Sequence, residues 1–293
     1  MTSTTHEVPK TVTIDAAAVV TTVTEVGRSV RPARGRRRLG LGKPIPFGRL
    51  LGVLLLIGIW SLVSATGLVD PRKLSEPWTV LQTGIDLIAN GQLQDNIAAS
   101  LHRAVLGFAF GVAVGTGLAL ISGLSRIGEA LVDGPVQVKR AIPSLALIPL
   151  MILWLGIGET FKVAVIAIVV AIAMYIQTHA ALTAIDSRYV ELAEVLGLSR
   201  WNFIRKVVIP GAQPGFFLGL RLAVTASWLT LVVVESVNAV NGLGKMMFKA
   251  QDYGQSDVIM VGLVVYGLFG FVSDAAIRII ERRVLSWRRT LAG

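Results

Sequence analysis

Residues able to make or break covalent bonds are few in this sequence and far apart. The three histidines, His6, His102 and His179, show no metal-ligand spacing. There is no cysteine, which excludes disulfides, thiol catalysis and thiolate metal sites. No G-x-x-x-x-G-K-[ST] run offers a cradle for nucleotide phosphates. What remains is a scatter of polar groups among long apolar stretches, where a charge is expensive unless paired or wet. Asp274, Arg278 and Glu281 stand at helical spacing and read as an ion-pair ladder. Glu235 falls near one end of an apolar stretch, beside an outer vestibule or with Lys245 as its partner. Arg221 has the sign to meet an anion. Ser144, Tyr175, Gln177, Arg221, Thr225, Trp228 and Glu235 are therefore candidates for the wall of a weakly polar passage. A lone His179 reads as a packed residue, and no metal site is expected.

These side chains must be positioned by membrane-spanning helices. Hydrophobic residues make up 53% of the chain, and the mean hydropathy of +0.68 is too apolar for a soluble domain of this length. Six stretches satisfy the roughly 20 mostly apolar residues a bilayer requires. They cover residues 49–66, 97–122, 141–157, 161–183, 214–237 and 257–280. The expected fold is all-α, a polytopic membrane protein with six transmembrane helices. Pro143 and Pro149 kink the third stretch, which is expected inside the bundle. Gly107, Gly111 and Gly115 give the second a small face for close helix packing. Between the first two spans, Ser75-Glu76-Pro77 opens an amphipathic helix. That helix lies either along the outer membrane surface or on the bundle.

Charge sets the orientation. All but six of the 28 lysines and arginines fall on one side of such a topology; the exceptions are Arg72, Lys73, Arg103, Lys162, Lys245 and Lys249. The positive-inside tendency then puts both termini and the 184–213 loop in the cytoplasm of a multi-pass inner-membrane protein. Residues 1–48 read as a disordered cytoplasmic basic tail and residues 49–293 as the transmembrane domain. The net charge of +10 does not point to nucleic acid, because no aromatic residues interleave with the basic ones.

The 184–213 loop reads as two short helices joined at Gly197, with Asp186 and Ser187 able to cap the first and Ser199 the second. Pro210 and Pro214 are expected to break the chain before the fifth span. Glu191, Ala193, Gly197, Val207, Ile209 and Pro210 fall at the spacing of the E-A-A-x3-G-x9-I-x-L-P loop. In this the segment resembles the permease subunits of bacterial ABC importers, with Leu192 departing from the second alanine. Pro143-Ser-Leu-Ala-Leu-Ile-Pro149, Trp154-Leu-Gly156-Ile-Gly158-Glu159, Gly219-Leu-Arg221 and Gly242-Leu-Gly244 resemble the nitrate/sulfonate/taurine group of those permeases.

The resemblance implies a type I importer-like bundle whose coupling loop, Glu191, Leu192, Ala193, Gly197, Ile209 and Pro210, docks on a cytoplasmic ATPase. It also implies partners: a second copy of the chain, two ATPase subunits and an external solute-binding protein. No cofactor is expected on this chain, which is not itself an enzyme; ATP and Mg would sit on the ATPase. Aliphatic sulfonate is the first expected solute, then taurine, nitrate or bicarbonate. The alternative is a secondary transporter driven by an ion gradient, which calls for a buried carboxylate or histidine relay and an internal repeat.

Overall fold

The computed structural model describes residues 48–67, 69–70 and 73–287 of the chain. The basic tail expected over residues 1–48 lies almost wholly outside them. By contacts the chain divides into Met1–Gly52 and Val53–Gly293. Of the first unit only the opening of helix α1 (Gly48–Ala65) is described.

Every regular element among the described residues is helical. After α1 come α2 (Pro77–Ala89), α3 (Gln92–Leu124), α4 (Arg126–Ala141), a 3-10 turn over Ser144–Leu147 and α5 (Ile148–Leu155). There follow α6 (Glu159–Thr183), α7 (Arg188–Val195), α8 (Arg200–Phe203), a π-turn over Ile204–Val208 and α9 (Ile209–Ser236). The chain ends in α10 (Leu243–Asp252) and α11 (Ser256–Val284).

Among the described residues, four helical stretches are long and apolar enough to cross a membrane: α3, α6, the continuous run Arg200–Ser236, and α11. A fifth crossing is available only if α4 and the Ser144–Leu155 pair, bent by 95°, count as one span. Among the described residues the apolar stretch of α1 over Leu51–Ala65 is shorter than these, so the expected count of six is not confirmed. The expected third span, 141–157, is no single helix. Pro143 cannot continue α4, and Pro149 falls in the first turn of α5, where its missing N–H costs nothing. Nor is α5 enclosed by the rest of the chain: Leu153 and Trp154 are 78% and 65% exposed.

The packing is densest around α6, which α3 grips on one side and α9 on the other. Side chains at Gly107, Gly111 and Gly115 would strike Ile166, Val170 and the Ala171 carbonyl of α6. A side chain at Gly215 of α9 would likewise strike Ala181 of α6, and one at Gly219 would press tightly on Gln177. Small residues on both flanks let three backbones approach, which in a bilayer substitutes for the missing hydrophobic drive between helices. Phe161, Val165, Ile166, Val170 and Met174 of α6 are consequently buried.

The amphipathic helix takes the bundle alternative. In α2, Val80 and Leu87 are buried, Gly84 abuts Val261 of α11, and Thr83 donates to Asp257 at 2.7 Å. Its opposite face, with Trp78, Leu81 and Ile85, stays exposed. The α10 end of the molecule thus gathers α2, the starts of α3, α6 and α11, and the end of α9. The other end carries α7 and α8.

Candidate functional site

At the α7 end, local chemistry shapes one protruding segment. Asp186 Oδ1 accepts from Arg188 N at 3.0 Å and opens α7. Gly197 closes it at φ +61°. Gly197 N donates to Glu194 O at 3.0 Å and Leu198 N to Ala193 O at 2.9 Å. That pair of bonds is the left-handed helix ending that glycine adopts without a Cβ penalty. Ser199 Oγ then caps α8 by accepting from Asn202 N at 3.4 Å.

The segment buries Ala193 and turns its larger apolar groups outward. Tyr189, Leu192, Val195, Leu196 and Trp201 are all more than half exposed, beside an exposed Glu191. An exposed apolar cluster of this kind suits a contact with a protein or a membrane.

Behind this surface the attachment is stiff. Arg200 Nη2 donates to Leu124 O at 2.9 Å, tying α8 to the last turn of α3. Val208 and Ala212 pack with Leu182 of α6. Pro210 and Pro214 do not break the chain: the helix runs from Arg200 to Ser236. The reason is the π-turn, in which Ile209 N reaches back to Ile204 O. Its wider register accommodates the proline ring that would otherwise strike the carbonyl four residues earlier. Ile209 and Pro210 therefore belong to the first turn of a membrane helix, and the segment is continuous with α9.

Among the described residues, the candidate polar groups of the interior do not converge on one channel. Ser144 Oγ accepts from Lys139 Nζ at 2.7 Å. Tyr175 is buried, its hydroxyl 3.0 Å from Ser122 Oγ and donating to Asp133 Oδ1 at 3.1 Å. Gln177 faces Gly219 in the α6–α9 seam. Arg221 Nε donates to Asp274 at 2.9 Å and Arg278 meets the same carboxylate at 3.1 Å, so the Asp274–Arg278 rung of the expected ladder forms and also holds α9, whereas among the described residues no ion pair joins Glu281 to Arg278. Thr225 returns its hydroxyl to Arg221 O, and Trp228 donates to Ser273 Oγ at 3.1 Å while stacking on Phe269.

Glu235 is fully buried and does not pair with Lys245. It accepts from Arg103 Nη1 at 2.7 Å, Ser100 Oγ at 2.7 Å, Gly244 N at 2.8 Å and Tyr266 Oη at 3.1 Å. Arg103, itself 2% exposed, spends its other N–H groups on Glu159, Asn241 O and Asn241 Oδ1. Lys162 Nζ completes the cluster at 2.9 Å from Glu159. Two cations and two carboxylates thus clamp α3, α6, α9 and the α9–α10 turn together. Beside the clamp, a cleft of about 1210 Å³ opens at the α10 end, lined in part by Asp95, Asn241, Lys245, Lys249 and Tyr253. Among the described residues, no three His, Asp or Glu side chains gather as metal ligands.

Residues 111–286 match the family profile described as the binding-protein-dependent transport system inner membrane component. A protein of Bacillus subtilis named for aliphatic sulfonates transport is 34% identical over 90% of this chain and 94% of its own. Its Escherichia coli namesake is 39% identical over 79% of this chain and 88% of its own. The taurine transport system permease protein of Escherichia coli is 30% identical over 80% of this chain and 86% of its own. Among solved structures, an amino acid ABC transporter chain superposes with a TM-score of 0.58 over 67% of this chain and 96% of its own, at 19% identity, which speaks for the fold.

Proposed function

The chain belongs to the family of binding-protein-dependent inner-membrane transport components, as a permease of the sulfonate/taurine/nitrate group, and from that premise we propose that it carries small sulfonates into the cell. In this reading two copies span the membrane with both termini in the cytoplasm. Two ATPase subunits, holding ATP and Mg, dock on the two Glu191 segments, and an external binding protein delivers the solute to the α10 end.

One observation carries the reading: the apolar surface of α7 and α8 is continuous in covalent structure and packing with the membrane helices. Tyr189, Leu192, Val195, Leu196 and Trp201 offer the contact surface. Arg200 passes a push to α3, and the unbroken run through Ile209 and Pro210 passes it to α9. A displacement of the docked ATPase therefore tilts helices rather than flexing a loop, which is what switching access from one side to the other demands.

Reconstitution tests it. The permease alone in liposomes neither hydrolyses ATP nor accumulates alkanesulfonate under an imposed proton or sodium gradient. Adding the cognate ATPase, the loaded binding protein and ATP produces uptake. Gradient-driven uptake by the lone permease would instead establish the secondary-transporter reading. Competition with taurine and nitrate orders the solutes.

A further inference from the structure

Charges set within the long helices of this protein are matched by opposite ones. Arg103 and Lys162 sit on Glu159 and Glu235, and Arg221 and Arg278 share Asp274. Lys139 and Arg140, in the last turn of α4, break the pattern. Among the described residues neither has a carboxylate within ion-pair distance. Asp133, the nearest acid on α4, accepts from Tyr175 Oη and Gln137 Nε2 instead. Lys139 Nζ donates to Ser144 Oγ at 2.7 Å, across the 95° bend that ends α4.

These two cations lie deep. α4 starts beside the last residue of α3, at the α7 end, and climbs back along the bundle. A side chain at Gly128, in its first turn, would strike the Ile121 carbonyl near the end of α3. Two turns on, Val136 is buried with Ala119 and Tyr175. Tyr175 itself stands about 12 Å inside the α7-side end of α6. Lys139 and Arg140 follow one turn beyond Val136, about 20 Å along α4 from its start. That depth falls inside an apolar layer of about 30 Å. Yet Lys139 is only partly buried and Arg140 is exposed. A charge open to its surroundings at such a depth needs water or a counter-charge. The carbonyls that end α4 attract a cation, but they carry only about half an elementary charge between them, less than the two cations present.

We propose that the tip of α4 faces a wet passage and holds the solute's oxyanion there, with Lys139, Arg140 and the Ser144 hydroxyl as its donors. The proposal rests on the transport reading above and names the residues that recognise its substrate class. The donor set suits a sulfonate. The guanidinium fork of Arg140 can give two parallel hydrogen bonds to two oxygens. Lys139 keeps two N–H groups beyond the one spent on Ser144, and the Ser144 hydroxyl, which accepts from Lys139, keeps its proton to donate. Neither cation has to leave a carboxylate before it can bind. Release has a route as well. The 95° bend separates Lys139 and Arg140 from Ser144, so a change in its angle parts the donors.

The chain contains no cysteine, so one introduced thiol can be read alone. Ser144→Cys is prepared in the full complex in phosphatidylcholine nanodiscs, with the exposed Ala141→Cys in reserve should it fail to assemble. Each is treated with anionic 2-sulfonatoethyl methanethiosulfonate or cationic 2-(trimethylammonium)ethyl methanethiosulfonate, and labelling is read by intact mass. Relative to the rates on free cysteine, the anionic reagent should be favoured at least tenfold. Ethanesulfonate should slow it, and adding Lys139→Gln and Arg140→Gln should erase the preference. In proteoliposomes, ATP-driven ethanesulfonate uptake at saturating loaded binding protein should fall at least tenfold in Arg140→Gln and recover in part in Arg140→Lys. Arg126→Gln, at the exposed start of the same helix, should transport as the unaltered protein does. Reaction with neither reagent would place the α4 tip in lipid or a closed seam, and equal relative rates would mean that the cations face elsewhere. Protection by added phosphatidylglycerol but not by ethanesulfonate would make a lipid phosphate the ligand. Each of these overturns the proposal, as does undiminished uptake by Arg140→Gln. Uptake by the unaltered complex is measured alongside, so a failure of the transport reading is seen separately from a failure of the charge preference.

Discussion

Arg103 shows how much a single buried charge can organise. Its five N–H donors are all engaged, and the four acceptances by Glu235 account for that carboxylate's lone pairs. Removing one partner strands the other in a dry site, which costs about 3–5 kcal/mol, whereas removing both charges can be close to neutral. Arg103→Met should therefore sharply lower the thermal midpoint of the detergent-purified protein, and adding Glu235→Gln should recover part of the loss; no recovery would mean the pair is not the source of the stability. The sequence hid this clamp. Arg103 was legible as a charge inside an apolar stretch, which by itself demands a partner, but its partners stand 56 and 132 residues away. Only the fold brings them together. Gly197 is the opposite case, where local spacing announced a turn and the backbone bears it out at φ +61°. Gly197→Val should strain that turn by about 1 kcal/mol or more. It should insert normally yet lose ATPase binding in a pull-down, and wild-type transport by a well-expressed variant would count against the coupling role.

Elements were legible where a period repeats and illegible where a break is absorbed. The four-residue glycine repeat of α3 predicted a close helix contact, and its partner proved to be α6. An added methyl at Gly111 meets the Ala167 carbonyl and Val170, whereas Gly117 on the same helix has open space around it. Gly111→Ala should thus cost about 1–3 kcal/mol by forcing the helices apart, while Gly117→Ala should leave the thermal midpoint unchanged or slightly raised. Equal behaviour of the two would mean the α3–α6 seam is not tight. Prolines misled in one place and informed in another. Pro143 does end α4, but Pro210 and Pro214 sit inside a helix because a π-turn makes room for the first. A π-turn has no sequence signature comparable to a glycine or a cap, so the continuity of α8 with α9 could not be read in advance. That continuity matters, since it converts a surface loop into the end of a lever.

For the molecule as a whole, the structure changes the weight of the charge count that set its orientation. Six cations stood on the minority side, yet Arg103 and Lys162 are buried and neutralised by Glu159 and Glu235. They are part of a helix clamp and say little about which side of the membrane they prefer. That leaves Arg72, Lys73, Lys245 and Lys249 against the basic tail, the α3–α4 junction, the Glu191 segment and the end of α11. Positive charge near span ends resists export, so the imbalance favours the α7 end in the cytoplasm more strongly than the raw count does. The helix directions agree among themselves: α3, α6 and α11 run from the α10 end to the α7 end, and α9 runs back. A reporter active only in the cytoplasm should accordingly be active when fused after Gly293. It should be silent when inserted beside Gly91, in the turn between α2 and α3. The reverse pattern would place the Glu191 segment outside, away from any source of ATP, and with it the proposed mechanism would fail.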